Sequence, residues 1–352
     1  MNFSSPAFQI IRILLLGVFS AGLGVLFTPL LTNFLYKHHL GKQIREDKNT
    51  PIFISLHKKK EGTPTMGGIL MWGTVLIVTF LFFLLSQITD GFWGEISFLS
   101  RSQTWLPLGA MLGAALIGLI DDWMGVFHHG SKGGGLAMRS KIILYTLIAT
   151  IGAWWFFIKL GFSTIYIPFW GEIELGIGYI FYFIFIIVAT TFSMNETDGL
   201  DGLAGGVSLI GFSALLIVAF TQGLYNLAAF LSVLIGTIIA FLWFNVHPAR
   251  FFMGDTGAMS LGVTMGIVAM LTDTSLFLPF FAFILVLESL SVIIQTISKK
   301  IRHKKIFLST PIHHHFEAKG WPESKVTMRF WILAGVAATI GLALYFLDTF
   351  LF

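Results

Sequence analysis

The sequence predicts an all-α, polytopic membrane protein: a single domain over residues 1–352 with about ten transmembrane helices and both termini on the periplasmic or extracellular side. Composition is the first reason. Of 352 residues, 55% are hydrophobic and only 11% are charged, and the mean hydropathy is +0.83. A soluble domain carries about 25% charged residues, so the apolar surface must face lipid. The second reason is length. A helical span needs about 20 mostly apolar residues, and ten apolar stretches of suitable size can be read, at 8–36, 67–88, 105–120, 138–160, 178–194, 203–222, 226–244, 256–272, 276–298 and 330–350. The third reason is charge placement. With ten spans, the connections 37–66, 121–141, 195–202, 245–255 and 299–329 share one side, which holds 19 of the 22 Lys and Arg; Arg12, Arg101 and Lys159 remain for the other. Basic loops stay in the cytoplasm, so the five connections are expected inside.

In chain order, the first span is apolar from Phe8 to Phe27 with no small-residue cleavage site, and reads as a membrane helix rather than a cleaved leader. The absence of cysteine excludes disulfides, thiolate metal sites and a Cys nucleophile. The net charge of +4 fits both the topology and an attraction to anionic lipids or substrates. No internal repeat is visible. The outer connection 161–177 places apolar and β-branched residues around a turn-like centre, which predicts a short hairpin.

The polar clusters all fall on the cytoplasmic side. In the first inner connection, Lys58-Lys59-Lys60 follows the positive-inside pattern; Lys60 is also a candidate phosphate or nucleotide contact, and Thr65 a candidate N-cap of the second span. Asp121-Asp122 closes the third span. Adjacent carboxylates at a helix C-terminus are disfavoured by the helix dipole, so a metal ion or basic side chains should compensate them; a solvated helix end is the plainer alternative.

The fifth and sixth spans are joined by Asn195-Glu196-Thr197-Asp198-Gly199-Leu200-Asp201-Gly202. Asn195, Asp198 and Asp201 recur every three residues, so a helical turn would put them on one face. The free N–H groups opening the sixth span suit a phosphate, and carboxylates beside a phosphate imply a bridging cation, most often Mg²⁺. The alternative is a polar turn with an Asp cap. In Asn245 to Gly257, Asp255 is either the N-cap of the eighth span or a metal ligand. Phe252 either stacks on a nucleobase or lies in the membrane interface. His313-His314-His315 invites a zinc reading, but consecutive residues cannot all point at one ion, and zinc sites use spaced ligands. Phosphate contact or acid–base work suits them better; a solvated basic loop is the plain option. Glu288 lies inside the apolar ninth span, where a carboxylate is costly unless it faces the bundle interior or water. Gln295 follows near the cytoplasmic end.

A transporter would place its ionisable groups near the bilayer midplane. Clusters gathered at one face instead suggest an enzyme serving one soluble and one membrane substrate, with a lipid-phosphate transporter or flippase as the rival.

Together, Asp121-Asp122, the NETDGLDGLAGG stretch 195–206 and the FMGDTG stretch 252–257 resemble the polyprenyl-phosphate N-acetylhexosamine-1-phosphate transferase superfamily. The GTPTMGG stretch 62–68 and the PIHHHFEAKGW stretch 311–321 are most similar to its phospho-N-acetylmuramoyl-pentapeptide transferase family. The resemblance implies a bacterial cytoplasmic-membrane enzyme with its active site on the cytoplasmic face and, as in the family, usually a homodimer. It further implies a UDP-N-acetylmuramoyl-pentapeptide (UDP-MurNAc-pentapeptide) donor, undecaprenyl phosphate as acceptor, lipid I and UMP as products, and a need for Mg²⁺; no nucleic acid is expected. Asp255 matches the magnesium ligand, and Asp121 and Asp122 the catalytic pair. Asn195, Asp198, Gly199, Leu200, Asp201, Asn245 and Phe252 match the nucleotide pocket, and Lys60 and Thr65 positions near it. Gln295 falls at a nucleoside-contacting position. His313, His314 and His315 match the histidine motif, with His314 expected in catalysis and its neighbours in substrate binding. A sister enzyme transferring GlcNAc-1-phosphate is the nearest alternative.

Overall fold

A computed structural model describes residues 3, 5–41, 60, 62–130 and 134–351. Lys58 and Lys59 lie outside the described residues. The helices are α1 (Pro6–Lys37), α2 (Gly68–Ile88), α3 (Trp105–Val126), α4 (Met138–Trp154), α5 (Gly178–Thr197), α6 (Leu203–Thr221), α7 (Tyr225–Asn245), α8 (Gly254–Leu271), α9 (Leu278–Phe281), α10 (Phe283–Arg302), α11 (Ile312–Ala318) and α12 (Glu323–Leu351). Among the described residues, nine helices are long and apolar enough to cross a membrane, and a bent pair makes a tenth.

Burial sorts these helices. In α8, 89% of the apolar window is buried, against 28% in α1 and in α12. Helix α8 is therefore the axis of the bundle, with α3 and α5 packed along it and α2 against it. Small residues permit the closest of these approaches: a Cβ on Gly118 of α3 would overlap the backbone of Asp255 and Thr256. Exposed apolar side chains such as Leu14, Leu26 and Ile332 line the outer helices, as lipid-facing surfaces require.

Four local expectations change. Helix α3 continues to Val126, so Asp121 and Asp122 sit inside it rather than at its end. Thr65 is not the N-cap of α2; that position is Gly67. Helix α5 ends at Thr197, so Asn195, Asp198 and Asp201 share no helical face: the glycines that follow stop the helix, and Asp201 lies in the turn beyond. The ninth span is broken, with Ser275–Phe281 at 90° to α10. The last turn of α10 carries Lys299, Lys300 and Arg302, which complement the negative end of the helix.

The predicted outer hairpin is present. Strands β1 (Thr164–Ile167) and β2 (Gly171–Glu174) pair antiparallel, Thr164 opposite Glu174. Two carboxylates pin it to the bundle: Asp273 accepts the Tyr166 N–H at 3.3 Å and Asp348 the Phe169 N–H at 2.7 Å.

Candidate active site

Three polar groups meet at the end of the bundle where α3 and α5 finish and α4 and α8 begin. The first is a lattice of carboxylates around one lysine. Lys141, in the first turn of α4, stands 2.8 Å from Asp121 Oδ2 and also contacts Asp255 Oδ2. Asn195, in the last turn of α5, donates its amide to Asp255 Oδ1 at 2.7 Å. The other oxygen of Asp121 takes the Leu136 N–H. Side-chain exposure is 19% for Asp255 but 6% for Asp121, so Asp255 is the more accessible carboxylate of the two.

Asp122 is used differently. Both its oxygens accept backbone N–H groups from the start of α8, Asp255 at 3.0 Å and Thr256 at 3.1 Å. The first N–H groups of a helix have no partner within it, and here a side chain from another helix supplies one. Gly254 makes this approach possible. Its φ is +73°, and a Cβ there would meet Asp122 Oδ2 and Thr65 Oγ1. Asp255 itself serves no capping role; its side chain belongs to the lattice.

The second group surrounds the turn 198–202. Lys60 is 2.7 Å from Asp201 Oδ1 and also contacts Glu323 at the start of α12. Asp201 Oδ2 lies 3.0 Å from His247 Nδ1 and accepts the Ala249 N–H at 3.1 Å. Burial pushes the Asp201 carboxyl up, but Lys60, Ala249 and His247 outweigh it and hold it below the usual carboxylate range. The turn is anchored from both sides. Asn245 accepts the Gly202 N–H at 2.9 Å and donates to Phe251 at 2.8 Å, while Trp331 donates to the Gly202 carbonyl at 3.1 Å. Leu200 is buried beneath, and Asp198 directly follows α5. The Phe252 ring lies under the Lys60 ammonium, 5.7 Å from it. Asp201, His247 and Glu323 offer ligand atoms within 4.8 Å of one another, although Lys60 already serves two of them as a cation.

The third group is the histidine motif on α11. Its rings point to three different partners: His313 Nδ1 to Glu288 at 3.0 Å, His314 Nδ1 to Glu317 at 2.7 Å, and His315 Nδ1 to the Leu308 N–H at 3.1 Å. Burial, reinforced by Lys319, lowers the His315 pKa. His313 also reaches the second group, since a Cβ on Gly199 would overlap its Nε2. Gln295 is buried and spends its amide on the loop before α11, donating to Phe307 O at 2.9 Å and accepting from the Ile306 and Phe307 N–H groups.

The structure thus gathers Asp121, Asp122, Asn195 and Asp255, and separately Lys60, Asp201, Asn245 and Phe252. It turns Gln295 and His315 toward the chain's own loop. Lys141, His247 and Glu323 were not singled out by the sequence. A lysine in the first turn of an apolar span was the available signal for Lys141, but the positive-inside pattern already accounted for it.

Residues 104–273 match the model of glycosyl transferase family 4. Curated relatives extend over nearly the whole chain. A phospho-N-acetylmuramoyl-pentapeptide-transferase of Geobacillus sp. (strain WCH70) is 37% identical over 321 residues, 90% of this chain and 93% of the relative. The protein of that name from Chloroflexus aggregans is 37% identical over 325 residues, 89% of this chain and 83% of its own. The one from Anoxybacillus flavithermus is 36% identical over 331 residues, covering 92% and 96%.

Proposed function

The chain belongs to the phospho-N-acetylmuramoyl-pentapeptide-transferase family of phosphoglycosyl transferases, and on that premise we propose that it transfers phospho-N-acetylmuramoyl-pentapeptide from its UDP donor to undecaprenyl phosphate, giving lipid I and UMP. A phosphate oxygen of the lipid bonds to the sugar-linked phosphorus of the donor. The bond from that phosphorus to the oxygen shared with UMP breaks, and UMP leaves with the electron pair. The enzyme acts in a bacterial cytoplasmic membrane, as a homodimer, with the carboxylate end of the bundle facing the cytoplasm and both termini on the other side.

The observation that carries this reading is the lattice of Asp121, Lys141, Asn195 and Asp255, built at the end of lipid-facing helices where a lipid phosphate and a soluble nucleotide can meet. Its donors suit a hard cation: Asp255 and Asp121 present carboxylate oxygens, without sulfur or nitrogen ligands, as Mg²⁺ prefers. Asp255 is the residue that would hold Mg²⁺, and the ion would screen the diphosphate and the departing UMP. The Asp201, His247 and Glu323 group fits less well, because it includes an imidazole.

The remaining roles follow from partners. Asp122 is committed to the backbone of α8, so Asp121, whose Oδ2 pairs with the Lys141 amine, is the carboxylate that takes the proton of the lipid phosphate. Lys141 relieves the repulsion between Asp121 and Asp255. Lys60, Thr65, Asp198, Gly199, Leu200, Asp201, Asn245 and Phe252 form the nucleotide pocket with Asn195, and the Phe252 ring receives the uracil. His314, braced by Glu317, acts at the phosphates in catalysis; His313, His315 and Gln295 complete substrate binding.

The test follows UMP release by the purified, detergent-solubilised protein with undecaprenyl phosphate and Mg²⁺. Release from UDP-MurNAc-pentapeptide, abolished by EDTA and not seen with UDP-GlcNAc, is the expected result. Release with UDP-GlcNAc alone would move the chain's activity to the sister enzymes, and release from neither donor by a folded preparation would refute the reading.

A further inference from the structure

Glu288 is a carboxylate on α10 with no exposed surface, and the ring facing it, His313 on α11, is equally buried. A buried charge of this kind is stable only with an opposite partner. Among the described residues, the one basic side chain at ion-pair distance is His313, with Nδ1 at 3.0 Å from Glu288 Oε2. The His313 backbone N–H points at the same oxygen from 3.4 Å. The pair is not saturated: among the described residues, Glu288 Oε1 and His313 Nε2 have no hydrogen-bond partner, and Nδ1 meets Oε2 at charge-pair distance without hydrogen-bond geometry. Unmet polar atoms in an interior lower stability, and where they are kept they call for an explanation in function.

The position of the unmet nitrogen supplies one. Nε2 lies against Gly199, where any Cβ would overlap it. Gly199 belongs to the turn that carries Asp198 and Asp201, between the carboxylate lattice and the Lys60 group. We infer that Glu288 is the positioning residue of the histidine motif: its carboxylate holds the His313 ring in place and protonated beneath the 198–202 turn, with the Nε2 proton directed at the bound donor's side of that turn. The inference rests on the transferase reading given above. Glu288 does not touch substrate; it acts through His313.

The electrostatics agree with this geometry. Burial pushes the His313 pKa down, but Glu288, with Glu317 and Glu196 behind it, outweighs burial and holds it above the usual imidazole range. The other titratable neighbour is His314, whose ring centre lies 4.0 Å from that of His313. Glu196 is in turn within electrostatic reach of Lys141 and Asp255, which ties the buried pair to the lattice.

The test compares full-length wild type with Glu288→Gln, Glu288→Asp, His313→Gln and the Glu288→Gln/His313→Gln double variant. Two readouts are taken: the pH profile of kcat/KM for UMP release, and titration of the ¹⁵N-histidine signal that His313→Gln removes. Glu288→Gln keeps the shape of the side chain and removes its charge. The alkaline limb, where the imidazolium is lost, should move to lower pH by about 1–2 units, the effect of one close opposite charge. Glu288→Asp should move it less, and the double variant should be no worse than His313→Gln. An unmoved limb in Glu288→Gln, or losses that multiply in the double variant, would overturn the inference while leaving the transferase reading intact. Should wild type release no UMP, that reading fails, and the ¹⁵N titration decides the inference alone: a lower midpoint in Glu288→Gln upholds it and an unchanged one rejects it. Should Glu288→Gln not fold, the same comparison is made with Glu288→Asp.

Discussion

The carboxylate of Asp122 accepts the backbone N–H of Asp255 at 3.0 Å, so the second residue of the Asp pair fixes the main chain of the residue proposed to hold the metal. Two adjacent aspartates on α3 thereby take unlike tasks. Asp122 orients the first turn of α8, and Asp121 shares a lysine with the side chain that turn presents.

Asp122→Asn should abolish turnover through Asp255. An amide has one acceptor oxygen where the carboxylate has two, so one of the two N–H bonds is lost, at a cost of about 1.5–3 kcal/mol for a hydrogen bond to a charged group. Thermal unfolding should show a lowered midpoint with a folded baseline. Asp121→Asn should lose turnover with a smaller change in midpoint. Full activity of well-folded Asp122→Asn would remove its assigned role.

Lys141→Met leaves Asp121 and Asp255 facing each other without their shared cation. Breaking a buried ion pair from one side costs about 3–5 kcal/mol. Added Mg²⁺ should recover part of that loss, because a cation binding to the folded state alone stabilises it. Unfolding midpoints with and without Mg²⁺ make the check, and a midpoint that ignores Mg²⁺ would argue against a cation at this lattice.

Gly199→Ala introduces a methyl group where His313 already sits. Overpacking of this sort costs about 1–3 kcal/mol, and the ring or the turn must move. The expected outcome is a raised KM for the nucleotide donor with a preserved fold. Unchanged KM would mean that the contact between turn and ring is irrelevant to binding.

Asp201 is held below the ordinary carboxylate range by Lys60 and its other partners, against the effect of burial. A group with a depressed folded pKa contributes stability above its unfolded value, and the contribution disappears as pH falls through the folded one. Asp201→Asn should therefore melt below wild type at neutral pH. The gap should narrow on acidification through and below the carboxylate range. A gap constant with pH would assign the effect to hydrogen bonding alone.

The sequence announced the spans because burial in lipid imposes one continuous local pattern, readable without knowledge of any neighbour. The hairpin at 164–174 was legible from a different local pattern, apolar and β-branched residues around a turn-like centre. What periodicity could not reveal is which span ends meet. Asp121 and Asp255 are both conspicuous, but the lysine that joins them begins a third span and resembles any other inner-side charge. The spacing of Asn195, Asp198 and Asp201 misled because it presumed a helix that Gly199 and Gly202 interrupt. The 90° break before α10 went unread as well, although Pro279 falls inside the expected span 276–298, just ahead of it.

Asp122 also ties the proposed active site to the order of synthesis. Chains emerge N-terminus first, and Asp122 is made 133 residues before the backbone donor at Asp255 that it serves. For that interval α3 must lodge in the membrane with a pair of carboxylates that have neither the helix start nor all the side chains they will later hold. A chain made only as far as α7 lacks Asp255 and the backbone donors that Asp122 holds, so the proposed catalytic centre is incomplete until α8 is made.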